Sequence, residues 1–273
     1  MNHEPLIRFG TFLGGFVLMA LWESIAPYRQ YRQSRPVRWV SNLSLVVLNT
    51  MVLRAVFPVA AVGFAAIAFQ NRWGLFNALS VPSWVAMLLS VIALDCIIYW
   101  QHVLFHRVPF LWRLHQVHHA DLDFDVTTGL RFHSLEILLS MGIKLGAIAL
   151  LGPPATAVLL FEVVLNASSM FNHGNVSLPG EGDRLSTRCL SRLLRWIIVT
   201  PDMHRIHHSV HIDETNSNFG FNLPWWDYLF GTYCGQPEMN PRQMHIGLSQ
   251  YQQEPRVGYL HWMLLLPFGR LRV

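Results

Sequence analysis

Charge is the first thing this chain is short of. Asp, Glu, Lys and Arg together make up 13% of its 273 residues, where a soluble domain usually carries about a quarter. Hydrophobic residues account for 52% and gather in a few long runs, which excludes an ordinary soluble globule and points to a membrane protein. Cysteine is scarce as well. Cys96, Cys189 and Cys234 stand far apart, so there is neither a disulfide framework nor a CxxC metal site. A GxGxxG fingerprint for flavin or nicotinamide is missing, as is a CxxCH haem attachment. There is no low-complexity linker, and no repeat beyond one duplicated histidine pattern, so residues 1–273 read as a single domain. The formal net charge of +4 could suggest nucleic acid. The arginines, however, sit beside apolar runs, where membrane topology accounts for them and no nucleic-acid partner is expected.

The apolar runs set the organisation. Residues 6–26 read as a retained first membrane helix, because no small-residue cleavage site follows the run. The cluster Arg29, Arg32, Arg35 and Arg38 then serves as its cytoplasmic anchor. Residues 43–69 form a second span, interrupted by Arg54 and Pro58, and residues 82–100 a third. Residues 135–171 form a hairpin of two 17-residue arms around Gly152-Pro153-Pro154. Each arm is roughly 26 Å long at about 1.5 Å per residue, near the lower limit for crossing a bilayer core. Membrane-spanning segments thus fill about residues 6–69, and a histidine-bearing region covers about 82–235. The aromatic run Pro224 to Gly231 and the stretch Tyr259 to Phe268 suit a membrane surface. In all, an all-α integral membrane bundle with a cytosolic histidine-rich helical cap is expected.

What the chain does have is histidine at ligand spacing. The third span runs straight into His102-x3-His106, followed by His115-x2-His118-His119, and the later pattern returns as His204-x2-His207-His208. Residues three and four apart share a helix face, so each box can aim its imidazoles at one point. A lone pair of this kind is usually a surface or capping feature. Eight in three boxes with no matching cysteine instead point to two adjacent metals, since structural zinc is satisfied by four ligands. His133 and His173, at the two ends of the hairpin, add a candidate each. His3, His211, His245 and His261 fall outside the pattern and are read as non-ligands.

Several acidic and amide groups fit around these boxes. Asp95 shares a helical face with Tyr99, His102 and His106, so it is expected to be buried and bonded to the outer N–H of a ligand imidazole. Asp202, Asn218 and Asp227 are candidates for similar support, against ordinary capping and turn roles. Within the hairpin, Lys144 and Glu162 lie eight residues either side of the turn. Opposite charges at equal depth in an apolar arm are expected to face each other.

Asp95-x3-Tyr99-x2-His102-x3-His106, Leu111-Trp112-Arg113-Leu114-His115-x2-His118-His119, Arg131-Phe132-His133-x2-Glu136 and Thr200-Pro201-x2-His204-Arg205-x-His207-His208 resemble the fatty acid hydroxylase superfamily, also called the sterol desaturase family. The tail Asn216-Ser217-Asn218-Phe219-Gly220 and Trp226 to Thr232 does so too, and the likeness covers roughly residues 90–235. The resemblance implies a membrane-bound non-haem di-iron oxygenase with its histidines on the cytosolic face. It implies two Fe ions held by the box histidines, with His133 and His173 as additions; because the same imidazoles bind zinc, Zn is expected as a replacement on overproduction. It also implies O2 as cosubstrate, a lipid substrate (fatty acyl, sterol or related) that is hydroxylated or desaturated, and a separate electron donor such as a cytochrome, ferredoxin or reductase. Two other classes compete. A membrane haem carrier needs single axial histidines on facing helices, not three clusters. A metal-binding or transport protein needs ligands along a path at mid-membrane, not at span ends.

Overall fold

The computed structural model describes residues 3–178 and 193–269; Cys189, Arg184, Arg188 and Arg192 lie outside the described residues. Five stretches are long and apolar enough to cross a membrane: Glu4–Ile25, Arg35–Ala78, Ser83–Arg107, Ser134–Leu151 and Ala155–Asn172. Among the described residues no strand forms beyond one isolated bridge between Ser209 and Ile246. The protein is an all-α integral membrane bundle, as its apolar runs imply.

Helix α1 (Glu4–Ile25) stops before Pro27, and α2 (Arg35–Val56) opens with Pro36 in its first turn, where a missing N–H is harmless. The second span differs from the sequence expectation. It begins eight residues earlier than residue 43 and ends at Val56, just ahead of Pro58. The rest of that run forms α3 (Ala61–Gln70) and the short α4 (Leu75–Ala78). Ten residues reach only about 15 Å, so α3 does not cross. Its buried face, Ala61, Ala65 and Ala68, packs instead against Ile148 and Val158 beside the hairpin turn, and small side chains permit that close approach.

Helix α5 (Ser83–Arg107) returns the chain to the other end, and Pro109 then starts α6 (Pro109–His119). Helices α7 (Ser134–Leu151) and α8 (Ala155–Asn172) form the hairpin. Gly74 and Gly152 meet at its far end with φ of 88° and 67°, and a Cβ on Gly74 would lie 2.2 Å from the Gly152 nitrogen. The 70–81 turn and the hairpin turn therefore share the end away from the histidines. Helix α1 packs on α8, and α5 on α6 and α8. Leu6, Phe9, Leu18, Leu21 and Ile25 of α1 stay exposed, a face that suits lipid.

Lys144 and Glu162 do face each other, with Nζ to Oε1 at 2.6 Å. Arg8 of α1 joins them by donating to Glu162 Oε2, a third member contributed by a different helix.

The arginine cluster does more than anchor a span. Arg38 is 1% exposed and donates to Asp121 through Nε and Nη2, each at 2.8 Å, and to Asp125 through Nη1 at 2.8 Å. Backbone N–H groups of Arg32 and Gln33 donate to Asp123. The α1–α2 connection is thereby locked onto the loop that follows α6. Burial raises the Asp121 carboxyl, but Arg38 and Arg131 outweigh it and hold the group at about 2.

Beyond the hairpin, α9 (Pro201–His207), α10 (Ile212–Thr215), α11 (Trp225–Phe230) and α12 (Leu260–Leu265) complete the histidine-bearing cap. Trp225, Leu229, Phe230, Tyr259, Leu265 and Phe268 are exposed on it, as aromatic and apolar groups at a membrane surface would be.

Candidate metal centre

Four elements deliver imidazoles to one end of the bundle. The last turns of α5 carry His102 and His106. Helix α6 carries His115, His118 and His119. His173 caps the end of α8, and α9 with its cap residue supplies His204, His207 and His208. Proline sets two of these entries. Pro109 forces the turn between the first two boxes, and Pro201 begins α9 right after Thr200.

The nine rings fall into two groups, His102, His106, His115, His119 and His207 in one, and His118, His173, His204 and His208 in the other. Within each group, one nitrogen per ring lies within 4.8 Å of all the others. The groups abut: the rings of His119 and His208 stack at 4.4 Å, and those of His115 and His118 lie 5.2 Å apart.

Outer hydrogen bonds decide which nitrogen faces inward. Nδ1 of His102 donates to the Phe219 carbonyl at 2.9 Å, that of His173 to Ser169 at 2.7 Å, and that of His207 to Ser217 at 2.7 Å. His115 Nδ1 lies 2.7 Å from Glu136 Oε1. Each of these four rings is left with Nε2 as its lone-pair nitrogen. Gly129 keeps room for the His173 contact, since a Cβ there would lie 2.4 Å from the Ser169 carbonyl oxygen.

The inward nitrogens fit metal ions. Nε2 of His102, His115, His119 and His207 is buried without a hydrogen-bond partner, and both nitrogens of His208 are likewise unpartnered. Buried polar atoms are rarely left so. His173 Nε2 lies 3.1 Å from His118 Nε2 and 3.0 Å from His204 Nε2. Two nitrogens about 2.1 Å from one ion and adjacent in an octahedron are about 3.0 Å apart. Burial, reinforced by neighbouring imidazoles, pushes His118, His119, His204 and His208 well below the usual histidine value. Burial also lowers His173 and His207, each to about 3. Neutral imidazole is the form a metal binds.

His133 departs from the expectation, for it belongs to neither group. Its side chain caps α7 by accepting from the Leu135 N–H, with Nε2 3.4 Å from the Leu264 carbonyl oxygen. A histidine ahead of a helix start satisfies an orphan N–H there. His3, His211, His245 and His261 also stay out of both groups.

The supporting residues were only partly placed by sequence. Asp95 is buried, as its helical face implies, but its Oδ2 accepts from Trp226 Nε1 at 2.8 Å and the Leu223 N–H, not from an imidazole. Asp202 pairs with Arg195 at 2.5 Å. Asn218 brackets the Met203 and Cys234 backbone at a φ of 50°. Asp227 accepts from the Phe219 and Gly220 N–H groups at 2.8 and 2.7 Å, fixing the peptide whose carbonyl orients His102. The carboxylate that does touch a ring, Glu136, stands three residues after His133. Its sequence signal is the motif Arg131-Phe132-His133-x2-Glu136, which puts it in the first turn of α7 without saying which ring it meets.

Aromatic rings enclose the cluster: Phe132 on His118, Trp112 on His106, Phe124 on His208, and Phe221 near His102, His173 and His204.

A family model described as fatty acid hydroxylase matches residues 87–232, the stretch from α5 through α11. An ornithine lipid hydroxylase of Rhizobium tropici is 27% identical over 88% of this chain and 70% of its own length. An alkylglycerol monooxygenase of Xenopus tropicalis is 26% identical over 82% of the chain, which spans about half, 47%, of that relative. A very-long-chain aldehyde decarbonylase of Oryza sativa is 29% identical over 73% of the chain and 32% of its own length. No solved structure matches.

Proposed function

The chain belongs to the fatty acid hydroxylase family, and on that premise we propose that it is a lipid hydroxylase using two iron ions held by its nine clustered histidines. The observation that carries this reading is the pair of abutting imidazole groups, five and four, with unpartnered nitrogens at one end of bilayer-length helices. When bound, the iron pair supplies the dioxygen activation that attack on an unactivated C–H requires, with electrons from a separate donor.

The chain's own residues supply position and dryness. Carbonyls of Phe219, Ser169 and Ser217 hold three rings in one tautomer, so their nitrogens are aimed before any ion arrives. Phe132, Phe124 and Trp112 keep water from the rings. A lipid chain enters sideways from the bilayer, because the site lies where α5 and α8 end. Hydroxylation is favoured over desaturation by relatives whose names specify a hydroxylase and a monooxygenase. Metal transport fits less well, since the ligands lie at helix ends and not along a path across the bilayer.

The test is a comparison of lipid extracts from cells with the chain, without it, and with His204→Ala, grown under heavy-isotope dioxygen. A lipid bearing one heavy oxygen in the first sample alone supports the reading; identical extracts refute it.

The histidine end is assigned to the cytoplasm by arginine distribution. Arg29, Arg32 and Arg35 lie at that end, against Arg72 in the far turn. A cysteine placed near residue 76 should react with an impermeant reagent from outside the cell, and one near residue 215 should not. The reverse pattern would overturn the assignment.

A further inference from the structure

We propose that Glu136 is a positioning residue that makes the two metal positions unequal, by lending its charge to His115 and so tightening the hold of the five-histidine group on its ion. This rests on the metal reading above.

The four rings with an assigned outer acceptor do not share one kind of acceptor. Three donate to backbone carbonyls, those of Phe219, Ser169 and Ser217. His115 alone faces a carboxylate, 2.7 Å from Glu136 Oε1. A carboxylate draws the Nδ1 proton more strongly than a carbonyl does, which makes the opposite nitrogen a better electron donor to a metal.

Among the described residues nothing else uses this charge. Glu136 is 3% exposed, and among the described residues its only ion-pair partner is His115. Its second oxygen, Oε2, is buried without a hydrogen-bond partner. The first turn of α7 favours an anion through the helix dipole, but among the described residues no Lys or Arg faces this buried carboxylate, and a buried charge calls for a fixed counter-charge. A cation on His115 Nε2 supplies one through the ring. Among the described residues no carboxylate hydrogen-bonds a ring of the four-histidine group. Asp121 and Asp125, the carboxylates whose field reaches His173, are already engaged by Arg38.

The experiment uses the full chain in detergent, loaded with cobalt, and follows release of the ions to a chelator. Glu136→Gln keeps a hydrogen-bond acceptor of the same size and removes the charge. The expected result is that one of two ions leaves tenfold or more faster than in the wild type, while the other keeps its wild-type rate. Glu136→Asp, which keeps the charge on a shorter stem, should recover most of that retention. Both ions leaving Glu136→Gln at wild-type rates, or both accelerated equally, would overturn the proposal. If Glu136→Gln cannot be purified, Glu136→Ala and Glu136→Asp are compared in the same way. Wild-type protein that binds no pair of ions would instead refute the metal reading itself, so the two failures are distinct.

Discussion

At the scale of single residues, the site depends on groups that stay neutral or charged against their surroundings. His173 and His207 sit at about 3, and four more imidazoles lie well below the usual value. In the unfolded chain the same rings take up protons below about 6.5. The unfolded state therefore gains protons that the folded state refuses, and stability falls as pH drops from about 6.5 toward 3. Metal-free protein followed by thermal unfolding should show a falling Tm between about pH 8 and about pH 5; a flat profile would contradict the buried, neutral cluster. Arg38 presents the opposite case. Two buried carboxylates, Asp121 and Asp125, face its guanidinium, so Arg38→Met leaves both without it. Breaking a buried pair in this way costs about 3–5 kcal/mol. The loop that carries the chain from α6 to α7 should loosen with it, lowering metal content. A loss under about 1 kcal/mol, the range of an exposed pair, would mean the clamp is ornamental to the fold.

At the scale of elements, α1, α7 and α8 meet through charge inside the apolar region. Lys144 and Glu162 are 2.6 Å apart, and Arg8 also donates to Glu162. Lys144→Met leaves Glu162 one cation, so its effect should be smaller than that of Lys144→Met combined with Arg8→Met. In a double-mutant cycle, Lys144→Met with Glu162→Gln should show coupling of about 0.5–3 kcal/mol. Strict additivity, read from unfolding in a bilayer mimetic, would mean the two side chains do not meet. Equal depth in a hairpin made this pair legible in the sequence. Arg8 was not, because nothing local relates the first turns of α1 to the middle of α8. The same limit explains Asp95, whose burial follows from helical periodicity while its partner Trp226 comes from a distant segment. His133 misled for a different reason. Lying just ahead of a helix, it meets the demand for a cap as readily as the demand for a ligand, and spacing does not separate the two. Pro58 showed that the second apolar run is broken, but not that α3 would fold back beside the hairpin turn.

At the scale of the whole molecule, every crossing delivers histidines or their supports to one end. Helices α5 and α8 end in ligands, α7 begins with Glu136, and the α1–α2 connection clamps the loop behind His119. The bundle and its three boxes were legible because apolar length and histidine spacing are local properties. The split into five and four was not, because it depends on how α6 and α9 share their rings between the groups. His118 leaves its neighbours on α6, and His207 leaves its neighbours on α9. That exchange ties the two groups into one centre. The most direct test is the number of ions bound per chain when purified wild-type protein is loaded with ferrous iron without oxygen and freed of excess. The account predicts two, with substantial loss in His118→Ala and in His207→Ala. One ion per chain or none in the wild type would contradict it.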